Sequence, residues 1–215
     1  MSEKRNIKYF FSVEGETEFL YFEHLKKLIL AEETRIANPV FRTEKISPLK
    51  FVKKLSFIHS CTITAVFDVE DDPEHRNHFE NTLKKMRDAE KLGKSIKYEL
   101  GYSNIDFELW IILHKKDLFG SAGSKQQYLA HINRIFGMNF QGLKEYKEEH
   151  NFLQILSKVT LNDVKQAIIR AENICKQRQS DSTSIKSYGY EWFDKNPSLS
   201  VHIIVKRILL ECGVY

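Results

Sequence analysis

The chain has 215 residues, 42% of them hydrophobic and 29% charged, a composition that argues against intrinsic disorder and supplies enough apolar surface for one substantial core. A formal charge of +4, from 33 Lys and Arg against 29 Asp and Glu, is too mild to indicate a nucleic-acid partner by itself. Cys61, Cys175 and Cys212 stand far apart with no C-x-x-C pair, which argues against a disulfide framework or a cysteine zinc site. The opening "MSEKRNIKYFF" breaks at Glu14, too short for the roughly 20 apolar residues of a membrane span, and a cytoplasmic protein is expected.

In chain order, Ile7 to Val13 is a continuous apolar and aromatic run, the pattern of a strand covered on both faces, and Glu16 to Glu32 then carries Phe19, Leu20, Phe22, Leu25, Leu28 and Ile29 at helical spacing. A second strand is predicted from Val40 to Ile46. The stretch "SPLKFVKKL" opens a helix with Ser47 as cap and Pro48 in the first turn. Thr62 to Phe67 is a strand, His75 to Leu92 a helix ending before Gly93, and Ile96 to Leu100 a further strand. An apolar helix follows in "GYSNIDFELWIILH", with Ser103 or Asn104 able to cap it. Beyond it, helices are expected over Lys125 to Phe136, Leu161 to Arg178 and Ser198 to Cys212. Alternating strand and helix predict an α/β fold with a mainly parallel sheet flanked by helices. The chain then divides into an α/β core over 1–118 and a mainly helical C-terminal part over 119–215 packed on it, with a single undivided domain as the alternative.

Two apolar runs end in acids. Glu14 closes the first strand in "KYFFSVEGETEF", and Asp68 and Glu70 close another in "TITAVFDVEDD". Residues two apart in an extended chain face the same side, and neighbouring strands lie about 4.8 Å apart, so Glu14, Asp68 and Glu70 can share one volume outside the carboxyl ends of the strands. Such crowding must protonate one member or bind a cation. Oxygen-only ligands favour Mg2+ or Mn2+, and an open carboxylate edge suits phosphoryl-transfer chemistry. Glu16 and Glu18 read equally well as helix N-terminal acids. Glu108, early in an otherwise apolar helix, is a candidate for a second metal or for holding a basic group, with a helix N-terminal acid as the alternative. His75 and His78 read as a solvated first turn, His114 as a helix C-terminal residue, and Trp110 as core. Lys115, Lys116 and Lys125 are candidates for nucleic-acid contacts.

These residues carry a resemblance. "VEGETE" followed by "FDVED" resembles the Toprim domain shared by primases, type IA and II topoisomerases and a class of nucleases. More narrowly, "VEGETEFLYFEHL", "VFDVEDD", "SNIDFELWIILH" and "NPSLSVHIIVKRIL" together are similar to the RloB family of phage-defence and restriction-linked loci. The resemblance implies a Rossmann-like Toprim fold and a divalent-metal site (Mg2+ or Mn2+). It further implies nuclease activity on DNA or RNA in antiviral, abortive-infection defence, alongside an ATPase from the same locus. Glu14 would act in proton transfer or as a ligand, and Asp68 and Glu70 would be the metal pair, with Glu18 and Glu108 as further ligands. One departure is visible: the pair is D-V-E where D-x-D is usual, with Asp71 and Asp72 behind it, which leaves open which acid is the second ligand. That departure supports a second reading, a catalytically silent binding or scaffold module of an ATPase complex. A phosphoacceptor receiver is disfavoured because the acid pair follows the later strand. With no G-x-x-x-x-G-K-[ST] loop, ATP hydrolysis would have to come from the partner.

Overall fold

The computed structural model describes residues 4–56, 60–69, 73–118 and 124–215. The first half alternates as expected: β1 (Arg5–Val13), α1 (Glu16–Ala31), β2 (Ala37–Glu44), α2 (Pro48–Lys54), β3 (Cys61–Val69), α3 (Pro73–Glu90) and β4 (Ile96–Asn104). The strands form one parallel sheet in the order β2-β1-β3-β4. From β1 the chain steps outward to β2, and from β3 it steps the other way to β4. The direction of winding therefore reverses between β1 and β3, and a crevice opens outside their carboxyl ends, the usual ligand position in such sheets.

Pleating sorts the two faces. Tyr9, Phe11 and Val13 of β1 join α1 in one core cluster, whereas Ile63, Ala65, Phe67 and Val69 of β3 join α2 and α3 in another. By the same alternation Thr64, Val66 and Asp68 face the α1 side, and Val66 belongs to that cluster. Parity alone thus aims Asp68 at the start of α1.

The remaining elements are α4 (Glu108–Leu113), α5 (Lys125–Phe136), α6 (Leu143–Tyr146), α7 (Glu149–Ser157), α8 (Leu161–Asp181), β5 (Ile185–Ser187), β6 (Tyr190–Trp192) and α9 (Val201–Glu211). Every residue of α4 is buried, Trp110 completely, which explains a helix apolar on all sides. The core that contains β1 and α1 also takes in Tyr128 and Ile132 of α5, Phe152 of α7, Ile168 of α8 and Ile208 of α9. Local signals set several helix ends. Ser124 accepts a hydrogen bond from the amide of Gln127 at 3.3 Å, Gly137 closes α5 in the left-handed region, and Thr160 and Asp163 cap α8 reciprocally. Ser47 is the N-cap of α2 but makes no side-chain cap bond; its carbonyl accepts from Phe51 instead.

Some expectations shift. Ser103 and Asn104 do not cap α4, because β4 pairs with β3 as far as Val69 opposite Asn104, and backbone bonds from Asn104 to Ser198 and from Ser200 to Tyr102 hold the end of that strand in place. The β5–β6 hairpin turns at Tyr188 and Gly189, both at positive φ, a two-residue geometry usually announced by Asn-Gly. Cys61, Cys175 and Cys212 are free thiols. No helix among the described residues is long and apolar enough to cross a membrane.

Gly101 shows how tightly α9 seats on β4. A Cβ there would stand 3.1 Å from Cδ1 of Ile204 and 3.6 Å from Cα of Val201, so Gly101→Val is expected to lower the unfolding free energy by about 1–3 kcal/mol through overpacking. Denaturant midpoints of the two proteins measure this, and an unchanged midpoint would mean that α9 does not rest on β4.

Candidate functional site

At the end of β1 the amide of Glu14 donates to the carbonyl of Val66 at 3.2 Å, carrying the β1–β3 pairing one residue past Val13. That bond places Glu14 at the sheet edge. Its Oε2 then accepts from the amide of Asp68 at 3.1 Å, so the acids closing the two strands are tied together. The chain turns at Gly15 into α1, where Glu18 reaches back and accepts from the Gly15 amide at 2.9 Å. Glu18 is therefore a helix N-terminal acid and a wall of the site at once. Burial, followed by the charge of Glu14, pushes its pKa up to about 7 against the pull of a backbone hydrogen bond.

Asp68 sits opposite a second group of charges supplied by the start of α4. Asp106 is buried, and its Oδ1 accepts from the amide of Phe107 at 3.0 Å. Lys147, just past α6, places its Nζ 3.1 and 3.3 Å from the two oxygens of Asp106 and 3.3 Å from Oε1 of Glu108. Lys125 lies 3.6 Å from Oδ2 of Asp106. Burial would raise the pKa of Asp106, but hydrogen bonds from Glu108 and Asp68 and the charge of Lys147 outweigh it and hold the carboxyl well below the usual range. Its two neighbours move the other way. Burial and then the charge of Asp106 raise both Asp68 and Glu108 well above the ordinary carboxylate range. The Glu108 carboxyl is buried, and its Oε1 lies 3.3 Å from Nζ of Lys147. Removal from water and the nearness of Asp106 both disfavour the charged form of Glu108. The cluster is thus one aspartate whose charged form is favoured, between two acids whose charged forms are disfavoured, with a lysine across it.

Around these groups lies a cleft of about 250 Å3 lined by Glu14, Gly15, Glu16, Thr17, Glu18, Asp68, Asp106 and Lys147. Among the described residues no group of three His, Cys, Asp or Glu side chains is arranged to hold a metal ion. What the cleft offers is an open, oxygen-only edge with more carboxyl groups than cations, a donor set that fits a hard divalent ion completing its shell with water or substrate oxygen. On the other side of Glu14 a shallower groove of about 190 Å3 is lined by Lys45, Ser47, His78 and Lys85. A larger groove, about 420 Å3, lies at the opposite end of β1 and β3. There Arg207 is already paired with Glu99 at 2.6 Å, and among the described lining residues Glu211 is the one acid.

Of the residues singled out from the sequence, Glu14, Glu18 and Asp68 meet in the cleft, and Glu108 stands behind it against Lys147. Glu70, Asp71 and Asp72 lie outside the described residues, as does the side chain of His75. Lys125 reaches Asp106, whereas Lys115 is paired with Asp163 at the start of α8, 2.6 Å away, and neither Lys115 nor Lys116 lines the cleft. His114 is a core residue: its Nδ1 is 2.9 Å from the Trp110 carbonyl, and burial pushes its pKa down to about 4. Sequence reading missed Asp106 and Lys147. Asp106 and Glu108 repeat the acid-x-acid spacing of Asp68 and Glu70 just beyond the neighbouring strand, a signal hidden by ending that strand at Leu100. Lys147 has no local signal, standing 41 positions from the aspartate it holds.

The family described as RloB-like protein matches residues 9–208, nearly the whole chain. No curated protein and no solved structure matches it.

Glu18 generates a pH prediction for the metal-free protein. Burial holds the Glu18 pKa at about 7 in the folded state, while the unfolded chain releases the proton near 4.5. Stability from this group is therefore lost as pH rises through that interval. Glu18→Gln keeps an oxygen for the Gly15 amide and removes the titration. Its melting temperature should fall less than that of wild type between those pH values, a difference of order 2 kcal/mol in stability. Parallel melting curves would refute the assignment.

Proposed function

The chain belongs to the RloB-like protein family, and on that premise we propose that it is a metal-dependent phosphodiesterase of the Toprim type. It would cleave nucleic acid in antiviral defence, in the cytoplasm, with an ATPase partner. The observation that carries the reading is the direct tie between Glu14 and Asp68 at the winding reversal of the sheet, inside a cleft with surplus carboxylate.

Glu14 and Asp68 would hold the ion, with Glu18 behind them and Glu70 as the remaining ligand expected from the sequence. When bound, Mg2+ or Mn2+ supplies Lewis-acid polarisation of a phosphoryl oxygen and a lowered pKa for an attacking water. As a ligand Asp68 would be ionised, its proton going to solvent, while Asp106 would stay with Lys147 and the Phe107 amide. Glu14, which lines both the acidic cleft and the groove of Lys45 and Lys85, stands where a phosphodiester lying along those two lysines would meet the acids. A chain with only a mild positive excess can thus still attract a polyanion locally. DNA and RNA share this backbone chemistry, and both remain substrates of the proposal. The partner supplies the nucleotide hydrolysis for which this sequence has no phosphate loop.

Asp68→Asn tests the reading. In the absence of metal the variant should be at least as stable as wild type, because it removes a carboxyl whose charged form burial and its acidic neighbours disfavour. Titrating Mn2+ should raise the melting temperature of wild type and raise that of the variant far less, and cleavage of mixed DNA and RNA substrates should fall by at least about a hundredfold. Equal metal-induced shifts would remove Asp68 as a ligand. Metal binding by wild type without cleavage of any substrate, with the partner ATPase present, would favour the scaffold module instead.

A further inference from the structure

Among the described residues lining the cleft, Lys147 is the cationic one, and its place is unusual for a phosphate-contacting lysine: it is bonded to the acids themselves. Both oxygens of Asp106 lie within 3.3 Å of its Nζ, as does Oε1 of Glu108. Asp106 also accepts the Phe107 amide on Oδ1 and faces Lys125 across Oδ2. Neither of its oxygens is left to bridge a pair of ions. Two-metal phosphoryl-transfer sites hold their ions about 3.5–4 Å apart, usually across shared oxygens, and an ammonium on the bridging carboxylate repels a second divalent ion while occupying its ligand.

The lysine is held there by its segment. Its amide donates to the Leu143 carbonyl at 2.9 Å. Tyr146, beside it, is fully buried and meets the rings of Phe140 and Phe152 edge-on with centroids 6.0 and 5.6 Å away. Only the lysine side chain, 39% exposed, turns from this aromatic anchor to the cleft.

We propose that Lys147 takes the place of a second metal ion, dividing the cluster into a Glu14–Asp68 half that binds one divalent cation and an Asp106–Glu108 half held by the lysine. The proposal rests on the reading that a divalent cation binds at Glu14 and Asp68. Lys147 acts as a positioning residue, through Asp106, and its ammonium adds positive charge to the lining of a cleft otherwise walled by carboxyl groups.

The test is calorimetric titration of the full chain with Mn2+, for wild type, Lys147→Gln and Lys147→Arg, with circular dichroism to establish folding. Wild type and Lys147→Arg should each bind one Mn2+ per chain. Lys147→Gln, which frees Asp106 and Glu108, should bind two. A lysine with a merely structural role would change melting temperatures and leave the ion count untouched. Two ions in wild type, or a folded Lys147→Gln that stays at one, would overturn the proposal. Should Lys147→Gln fail to fold, the counts for wild type and Lys147→Arg decide, two ions in either overturning it. Absence of any Mn2+ binding by wild type would instead overturn the cation reading beneath it.

Discussion

Crowding of like charge at the carboxyl ends of β1 and β3 is the constraint on which the site depends. Glu14, Glu18, Asp68, Asp106 and Glu108 gather in and behind one cleft, and carboxylates removed from water cannot all remain ionised without compensation. Compensation comes in several forms. Backbone amides satisfy Glu14, Glu18 and Asp106, burial and crowding favour the neutral forms of Asp68 and Glu108, and Lys147 stands across Asp106. The protein tolerates this arrangement because the sheet leaves no alternative: parallel pairing from Phe10 opposite Ile63 to Val13 opposite Val66 brings the ends of β1 and β3 side by side, and whatever residues close those strands must meet.

The C-terminal half takes part in that balance. The apolar α4 buries its whole length and so anchors Asp106 and Glu108 at its first turn. The segment from α6 to α7 delivers Lys147 from an aromatic anchor. Beyond them, the stretch before α9 closes over the end of β4: Asn104 Nδ2 donates to the Phe193 and Asp194 carbonyls at 3.2 and 2.6 Å, and Tyr128 links the Asn104 carbonyl to the Asn196 side chain. The "NPS" stretch therefore helps to hold the strand end from which Asp106 emerges. A buried acid needs such rigid surroundings, since a loosely held counter-ion would leave the charge unpaired part of the time.

Much of the fold was legible because local signals agreed with the tertiary outcome. The continuous apolar run of β1 and the helical spacing of α1 each act within a few residues, and the elements formed there. Where agreement failed, distant contacts had overridden propensity. "GYSN" is a poor strand sequence, yet β4 runs through it because β3 pairs on one edge and Leu199 bridges Ser103 beside it. The polar stretch of α6 and α7 becomes helical by burying Phe152, Ile155 and Leu156 against the larger core.

The sequence by itself determined that acids close the apolar strands at Glu14 and Asp68, since strand length, pleat parity and the alternation of strand with helix are written locally and bring those ends to one edge. Only the tertiary structure decided how their charge is resolved. Asp106 enters the cluster because β4 extends past Leu100, Lys147 because α6, far along the chain, packs against α5 and α7, and the raised pKa values of Asp68 and Glu108 arise because burial and proximity, which no local pattern encodes, set the electrostatic environment of each group.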